Sequence, residues 1–275
     1  STCDKDARIS LSLARSSQNR AALIDALSAV AETSHGPLRA EQRLAALSEL
    51  EAAAELDNDL TTLMIQKSWR IAALLELSRL DDVERENEHQ RKLADHLGLR
   101  QYFWIPAATD AMISTLRADF AEARRHLDSY SSTPQALRTP NFHLAAAGQT
   151  SMLQVETDCL HDDIIAAHVE FSKGSSQSYT PIASWLLEEA GRRDQSRRIL
   201  DCVDESFVRS IAAQPGGSLG LASLAEVAAR HRNEHLALVV LPELEELSQF
   251  RAVGGYGVTY SGSLSRYLGL CEMTI

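Results

Sequence analysis

Along most of the chain, apolar positions recur at intervals of three and four. Leu60, Leu63, Met64, Ile71, Leu74 and Leu75 share one helical face. Phe120, Ala123, Leu127 and Tyr130 do the same, as do Leu221, Leu224, Ala225 and Ala228. No stretch alternates with period two beyond a few residues. Helix starts and stops fall in the polar gaps. Gly36-Pro37, Thr139-Pro140 and Thr180-Pro181 each put a capping residue before a proline suited to the first helical position. Asp57, Asn58 and Asp59 precede the helix of Leu60, and Gly98 and Gly191 sit where helices should stop.

The gaps themselves recur. SHGPLR, SRLDDVE, RADFAEA, ETDCLHDD, GRRDQSR and RHRNEHL share a polar, turn-forming character and lie about forty residues apart. That is the span of a two-helix repeat. The pattern predicts an all-α fold, a right-handed α-solenoid of antiparallel helix pairs built from degenerate tetratricopeptide-like repeats. It predicts a single domain over residues 1–275 with roughly 12–14 helices.

Composition agrees. Aromatic residues are only 5%, with 7 Pro and 13 Gly, a balance that favours helix over strand. The net charge of −11 argues against direct binding of nucleic acid, which needs clustered cations. The longest apolar run, Leu236 to Pro242, is far too short to span a bilayer. No secretory leader is visible, and a first residue of Ser rather than Met points to a processed or excised N-terminus. Cys3, Cys159, Cys202 and Cys271 are scattered without a C-x-x-C pair, as expected of indifferent thiols in a reducing cytoplasm.

One pentapeptide carries a chemical signature. Residues 231–235 read HRNEH, the H-x-x-E-H zinc motif of inverted zincins. Zinc would need His231 and His235 on one continuous helix, whereas the repeat register puts a junction at Asn233, a good N-cap. The expectation is a turn and no metal site. His161, Asp162 and Asp163 with His168 form a second cluster, read as a junction whose aspartates favour a helix start. PGGSLG at 215–220 lacks the Lys-Ser/Thr of a phosphate loop and is read as a loop with Ser218 near a helix start. No Ser-His-Asp set stands out. The chain is therefore expected to be no enzyme and to use no cofactor.

Several segments resemble known repeats. ADFAEARRHLDSYSSTP (Ala118 to Pro134) resembles the second helix of a tetratricopeptide unit. GGYGVTYSGSLSRYLGL (Gly254 to Leu270) looks like the end of the helical-repeat region of large bacterial signalling proteins. Two related groups carry that region, ATP-binding LuxR-type transcriptional activators and multidomain nucleotide cyclases. TPIASWLLEEAGRRDQSRRILD, LASLAEVAARHRNEHLALVVLPEL and ALLELSRLDDVERENEHQRKLADHLGLRQYFW are similar to further units, so the likeness spans roughly residues 20–270. In those proteins the region lies between an ATPase module and an output domain, as a sensor or interaction surface. This chain lacks both their phosphate loop and a DNA-reading helix-turn-helix. The resemblance thus implies an excised domain or a stand-alone relative, with neither nucleotide nor DNA binding carried over.

In such arrays the first helix of each pair lines the concave side. The ligand-binding candidates there are Lys67, Trp69, Arg70, Tyr102, Trp104, His143, Gln149, Trp185, Tyr260 and Arg266. Trp69, Trp104 and Trp185 have core packing as their competing assignment, and Pro106 is a candidate kink that would open the concave face. The expected function is recognition of a protein partner or of a small-molecule or peptide effector, as part of a bacterial regulator. The alternatives are a stand-alone small-molecule binder with a closed groove and an enzyme on the same scaffold. A closed apolar pocket would favour a small molecule, and a long open groove would favour a peptide or protein.

Overall fold

The computed structural model describes residues 2–174, 179–255 and 257–275. Fifteen α-helices and one two-stranded hairpin make up the described residues. The first eight helices are α1 (Thr2–Ser17), α2 (Arg20–Thr33), α3 (Ala40–Leu56), α4 (Leu60–Glu76), α5 (Leu80–Leu97), α6 (Trp104–Leu116), α7 (Phe120–Ser131) and α8 (Pro140–Glu156). Next come α9 (Asp162–Ser172), α10 (Tyr179–Glu189), α11 (Arg193–Leu200), α12 (Glu205–Ala212), α13 (Gly217–His231) and α14 (Glu234–Leu247). Strands β1 (Arg251–Gly254) and β2 (Thr259–Ser263) follow, and β2 runs directly into α15 (Leu264–Thr274). The fold is all-α, with one more helix than the expected upper figure.

The junctions explain why the helices end where they do. A single residue in left-handed conformation closes α4, α6, α8, α10 and α13, namely Ser78, Ala118, Asp158, Gly191 and Arg232. At each, the next amide bonds back to a carbonyl one turn inside the helix: Arg79 to Leu74, Asp119 to Ser114, Cys159 to Gln154, Arg192 to Leu187 and Asn233 to Ala228. This is the six-to-one closure that satisfies the last carbonyls of a helix. Several following helices are then opened by a side chain that accepts an amide of the first turn. Asp119, Asp204 and Asn233 cap α7, α12 and α14 in this way. Thr139-Pro140 opens α8 as expected. Gly36-Pro37 instead opens a short 3-10 turn, and Thr180-Pro181 lies inside α10, one residue past its start.

Each helix from α1 to α10 packs on the next. Beyond α11 the order loosens: α10 packs on α13, and α12 is an extra short helix against α13 and α14. The apolar core is a succession of clusters from neighbouring helices, including one within α1–α4, one around α6–α8 and one within α12–α15. Between α3 and α4 a buried Arg43–Glu76 ion pair is anchored further by the Ser34 carbonyl. Pro106 sits in the first turn of α6, where a missing amide leaves no helical bond unmade. That removes the sequence-based reason for a kink there. Among the described residues, no helix is long and apolar enough to cross a membrane.

The hairpin is a strand pair within a chain whose sequence pattern predicts helices throughout. Its strands have only four and five residues, and in β1 Ala252, Val253 and Gly254 are all buried. A strand covered on both faces shows no alternation of polar and apolar positions.

Candidate functional site

The hairpin is seated among the helices that precede it. Val253 packs into the cluster formed by α3, α4, α5 and α6, and Val258 packs against the α6–α8 cluster. Ala252, at an irregularity in the strand register, joins the α12–α15 cluster. Residues within one seven-residue stretch therefore connect three regions of core. Ser218 on α13 holds β1 by its main chain. Its hydroxyl accepts from the Val253 amide at 3.1 Å and donates to the Val253 carbonyl at 3.3 Å.

Close approach demands glycine in the turn. Gly257 has φ +81°, and a Cβ there would lie 3.2 Å from the Ala72 amide nitrogen of α4 and 3.1 Å from the side chains of Ile71 and Leu75. On the other side Gln149 of α8 binds the hairpin. Its Nε2 donates to the carbonyls of Val258 (2.8 Å) and Ala108 (2.6 Å), and its Oε1 accepts from the Tyr130 hydroxyl at 2.7 Å.

Two cavities lie against this hairpin and share a wall that includes Val258, Thr259, Met152 and Trp185. The first has a volume of about 660 Å³ and is bounded by residues of α2, α4, α6, α8, α9, α10, α13 and the hairpin. All 3 tryptophans of the chain, Trp69, Trp104 and Trp185, line it, with Tyr102 and Tyr179. Its walls otherwise bear Ile65, Ile105, Leu144, Ile182 and Leu219. Among the described residues, Glu32 is the one charged residue lining it, and no Lys or Arg does.

His168 on α9 also reaches this cavity and is only 2% exposed. Neither ring nitrogen has a well-formed hydrogen bond. Burial lowers its pKa below the ordinary histidine value, and the nearby Ala147 carbonyl offsets this only in part. The ring is therefore neutral at pH 7; its N–H has the Ala147 carbonyl nearby, and its other nitrogen is an acceptor without a partner among the described residues.

The second cavity, of about 480 Å³, is more charged. Arg230 bonds to Glu189 at 2.5 Å and Arg266 to Glu226 at 2.6 Å, with the Arg266 guanidinium above the Tyr267 ring at 4.8 Å. The cations on its wall are thus already paired.

The structure separates the ten sequence candidates into groups. Trp69, Tyr102, Trp104 and Trp185 meet in the first cavity, and Gln149, Tyr260 and Arg266 line the second. Trp104 is also core, packed edge-on to Phe142. Lys67 and Arg70 line neither. They bind Glu51 and Glu86 between α3, α4 and α5. The reason is helical period. Ile65, Ser68 and Trp69 (i, i+3, i+4) share the cavity face of α4, whereas Lys67 and Arg70 lie roughly 200° and 140° around the helix from Ile65, on its far side. His143 is exposed beside Phe142 and lines neither cavity.

Sequence reasoning missed His168 as a lining residue, because it grouped that ring with His161 at a helix junction. Asp162 and Asp163 do lie in the first turn of α9, and His161 is its N-cap. The available signal was position: His168 follows the buried Ile165 by three residues and precedes Phe171 by three, on one helix face.

HRNEH is divided between two helices. Arg232 turns left-handed at φ 52° and the Asn233 side chain accepts from the Leu236 amide, so α13 ends and α14 begins inside the motif. His231 Nε2 bonds to Glu188 at 2.5 Å, while His235 is exposed on α14. Among the described residues, no group of three or more His, Cys, Asp or Glu side chains is placed to hold a metal. In PGGSLG, α13 begins at Gly217 and Ser218 is spent on the hairpin. Compared with protein-family models, curated proteins and solved structures, the chain matches none.

Proposed function

We propose that this chain is a ligand-recognition domain, an α-solenoid of degenerate tetratricopeptide-like pairs that takes a small molecule in the cavity behind its hairpin. The observation that carries the reading is the cavity itself. Its volume lies within the range of small-molecule sites, its walls are aromatic and apolar, and one buried ring has an unspent acceptor. The repeated left-handed junctions, about forty residues apart, support the solenoid of helix pairs. A peptide or protein partner fits less well, because the chain's own hairpin already lies among the lining helices. No catalytic role is proposed. A hydrogen-bonded titratable pair would be the minimal catalytic device, and His168 has no such partner in the cavity.

A route from ligand to output follows from connectivity. Gly254, Gly255, Val258 and Thr259 form part of the cavity wall, and β2 enters α15 without a loop. A ligand that binds more tightly to one hairpin position biases the placement of α15. This suits a sensor element of a bacterial regulator, the role implied by the resemblance to LuxR-type activators and nucleotide cyclases. Native mass spectrometry of freshly purified protein tests the reading. A retained adduct of small-molecule mass, lost when the cavity is filled by Ile182→Trp, is expected. An adduct unaffected by that substitution would place the ligand elsewhere.

A further inference from the structure

We infer that the cavity behind the hairpin selects an uncharged, flat, mainly apolar molecule carrying one hydrogen-bonding group, and that His168 reads that group. The inference rests on the ligand-recognition reading and adds the chemical class of the ligand.

Three observations converge on that class. The first is shape and surface. Trp69 on α4, Trp104 on α6 and Trp185 on α10 bring indole rings to one space from three helices. Planar rings are the natural complement of such walls, in stacked or edge-on contact.

The second is charge. An anion such as a phosphate or carboxylate, taken out of water, needs a cation or several aimed donors. Among the described residues no Lys or Arg lines this cavity, and the one charged residue there, Glu32, has the wrong sign and is exposed. Phosphorylated or carboxylated ligands are therefore selected against.

The third is the state of the polar groups. Most hydroxyls on the wall are already committed. Ser151 donates to the Gly148 carbonyl, Ser223 to the Leu219 carbonyl, Ser68 accepts from Gln90, and Thr139 caps α8. His168 differs. Neither of its nitrogens makes a well-formed hydrogen bond among the described residues, and with the Ala147 carbonyl near one of them, the other is left for a ligand. A buried polar group in this state needs a reason. With its N–H beside Ala147, the neutral imidazole offers its bare nitrogen as an acceptor, which a ligand hydroxyl or amide N–H can match.

A matched probe series tests this: 1-hydroxypyrene, pyrene and 1-pyrenesulfonate, which keep one flat ring system and change a single group. Energy transfer from the three tryptophans to the bound probe reports occupancy. At pH 7 the wild-type chain is expected to bind 1-hydroxypyrene saturably, about tenfold more tightly than pyrene and than the sulfonate. His168→Leu should abolish the preference for the hydroxyl and leave pyrene binding unchanged, and His168→Gln, which still donates and accepts, should keep most of it. Thermal melts establish that each variant is folded. Equal wild-type affinity for pyrene and 1-hydroxypyrene, or an undiminished preference in His168→Leu, overturns the role of His168 while saturable binding upholds the cavity reading. Tighter binding of the sulfonate overturns the charge argument. No saturable binding of any probe, or binding that Ile182→Trp does not disturb, overturns the cavity reading itself.

Discussion

The side-chain amide of Gln149 lies 2.8 Å from the main-chain carbonyl of Val258, joining α8 to a hairpin more than a hundred residues further along. The same amide reaches Ala108 on α6, and its oxygen takes the Tyr130 hydroxyl of α7. One side chain thus meets three partners with all its bonds satisfied. Gln149→Leu keeps the approximate volume and strands three buried polar groups, each costing about 1–3 kcal/mol when unpaired. With relaxation, a net loss of about 2–4 kcal/mol is expected in urea denaturation. Hydrogen exchange should rise at the hairpin more than in α1–α2. Uniform exchange across the chain would deny this residue its part in seating the hairpin.

Gly257 makes a second, steric test. Its left-handed backbone disfavours a side chain, and a methyl group would sit 3.1 Å from Ile71 and Leu75, tight enough that these neighbours must shift. Gly257→Ala combines conformational strain with a clash against α4, expected to destabilise by about 1–3 kcal/mol. Gly98 has φ +61° but nothing within 4 Å of a built Cβ, so Gly98→Ala should cost only the conformational part, about 1 kcal/mol. Thermal melts of the pair separate strain from packing, and equal losses would refute the close seat of the hairpin.

His231 offers a test away from the cavity. It holds the Glu188 carboxylate, only 1% exposed, while Arg197 donates to its Nδ1 at 2.9 Å. That bond puts the ring proton on Nε2, facing Glu188. His231→Ala leaves a buried carboxylate whose nearest remaining cation among the described residues is Arg193, at 3.9 Å, and should cost about 2–4 kcal/mol. Adding Glu188→Gln should recover part of that loss, and strict additivity in the double mutant would show that the two side chains are not coupled. His235→Ala is expected to be neutral within about 0.5 kcal/mol, because the side chain is exposed.

Two histidines, the buried His168 and the half-buried His35, predict an acid limb. Burial is the main cause that lowers the pKa of both His35 and His168, and for His35 the neighbouring Arg43 and Arg39 add to it. A histidine whose folded pKa lies below its ordinary value of 6.5 takes up a proton more readily in the unfolded chain. Stability is therefore highest above that value and falls as the pH drops below it. Glu76 acts in the opposite sense, since burial raises its pKa and protonation there favours the folded state. Denaturation between pH 7 and 5 should show the loss, and His168→Leu should flatten it. A profile unchanged by that substitution would mean that His168 does not contribute to the slope.

How far the sequence is legible follows from the range of the forces involved. Caps such as Asn233 and Thr139 act on amides three residues away, and the closure at Ala118 or Gly191 spans one turn. Such features are written locally, which is why the helices, their breaks and the division of HRNEH could be read in advance. Trp69, Tyr102, Trp104 and Trp185 were also within reach, because large aromatics on inner helices have few other places to go. Lys67, Arg70 and His143 were not separable from them. Their orientation depends on which face of α4 or α8 meets a neighbour, and a few residues of sequence leave that rotation open.

By itself, then, the sequence determined an all-helical chain and the points where it turns, because those depend on backbone bonds within a few residues. Only the tertiary structure decided that residues 251–263 form a hairpin, since Val253 and Val258 find their partners on helices more than a hundred residues earlier. That placement also makes the cavity and leaves His168 with a bare nitrogen beside it. A buried imidazole and a spent one look alike in sequence. What distinguishes them is which atoms from distant parts of the chain come within about 3 Å, and that is settled by packing alone.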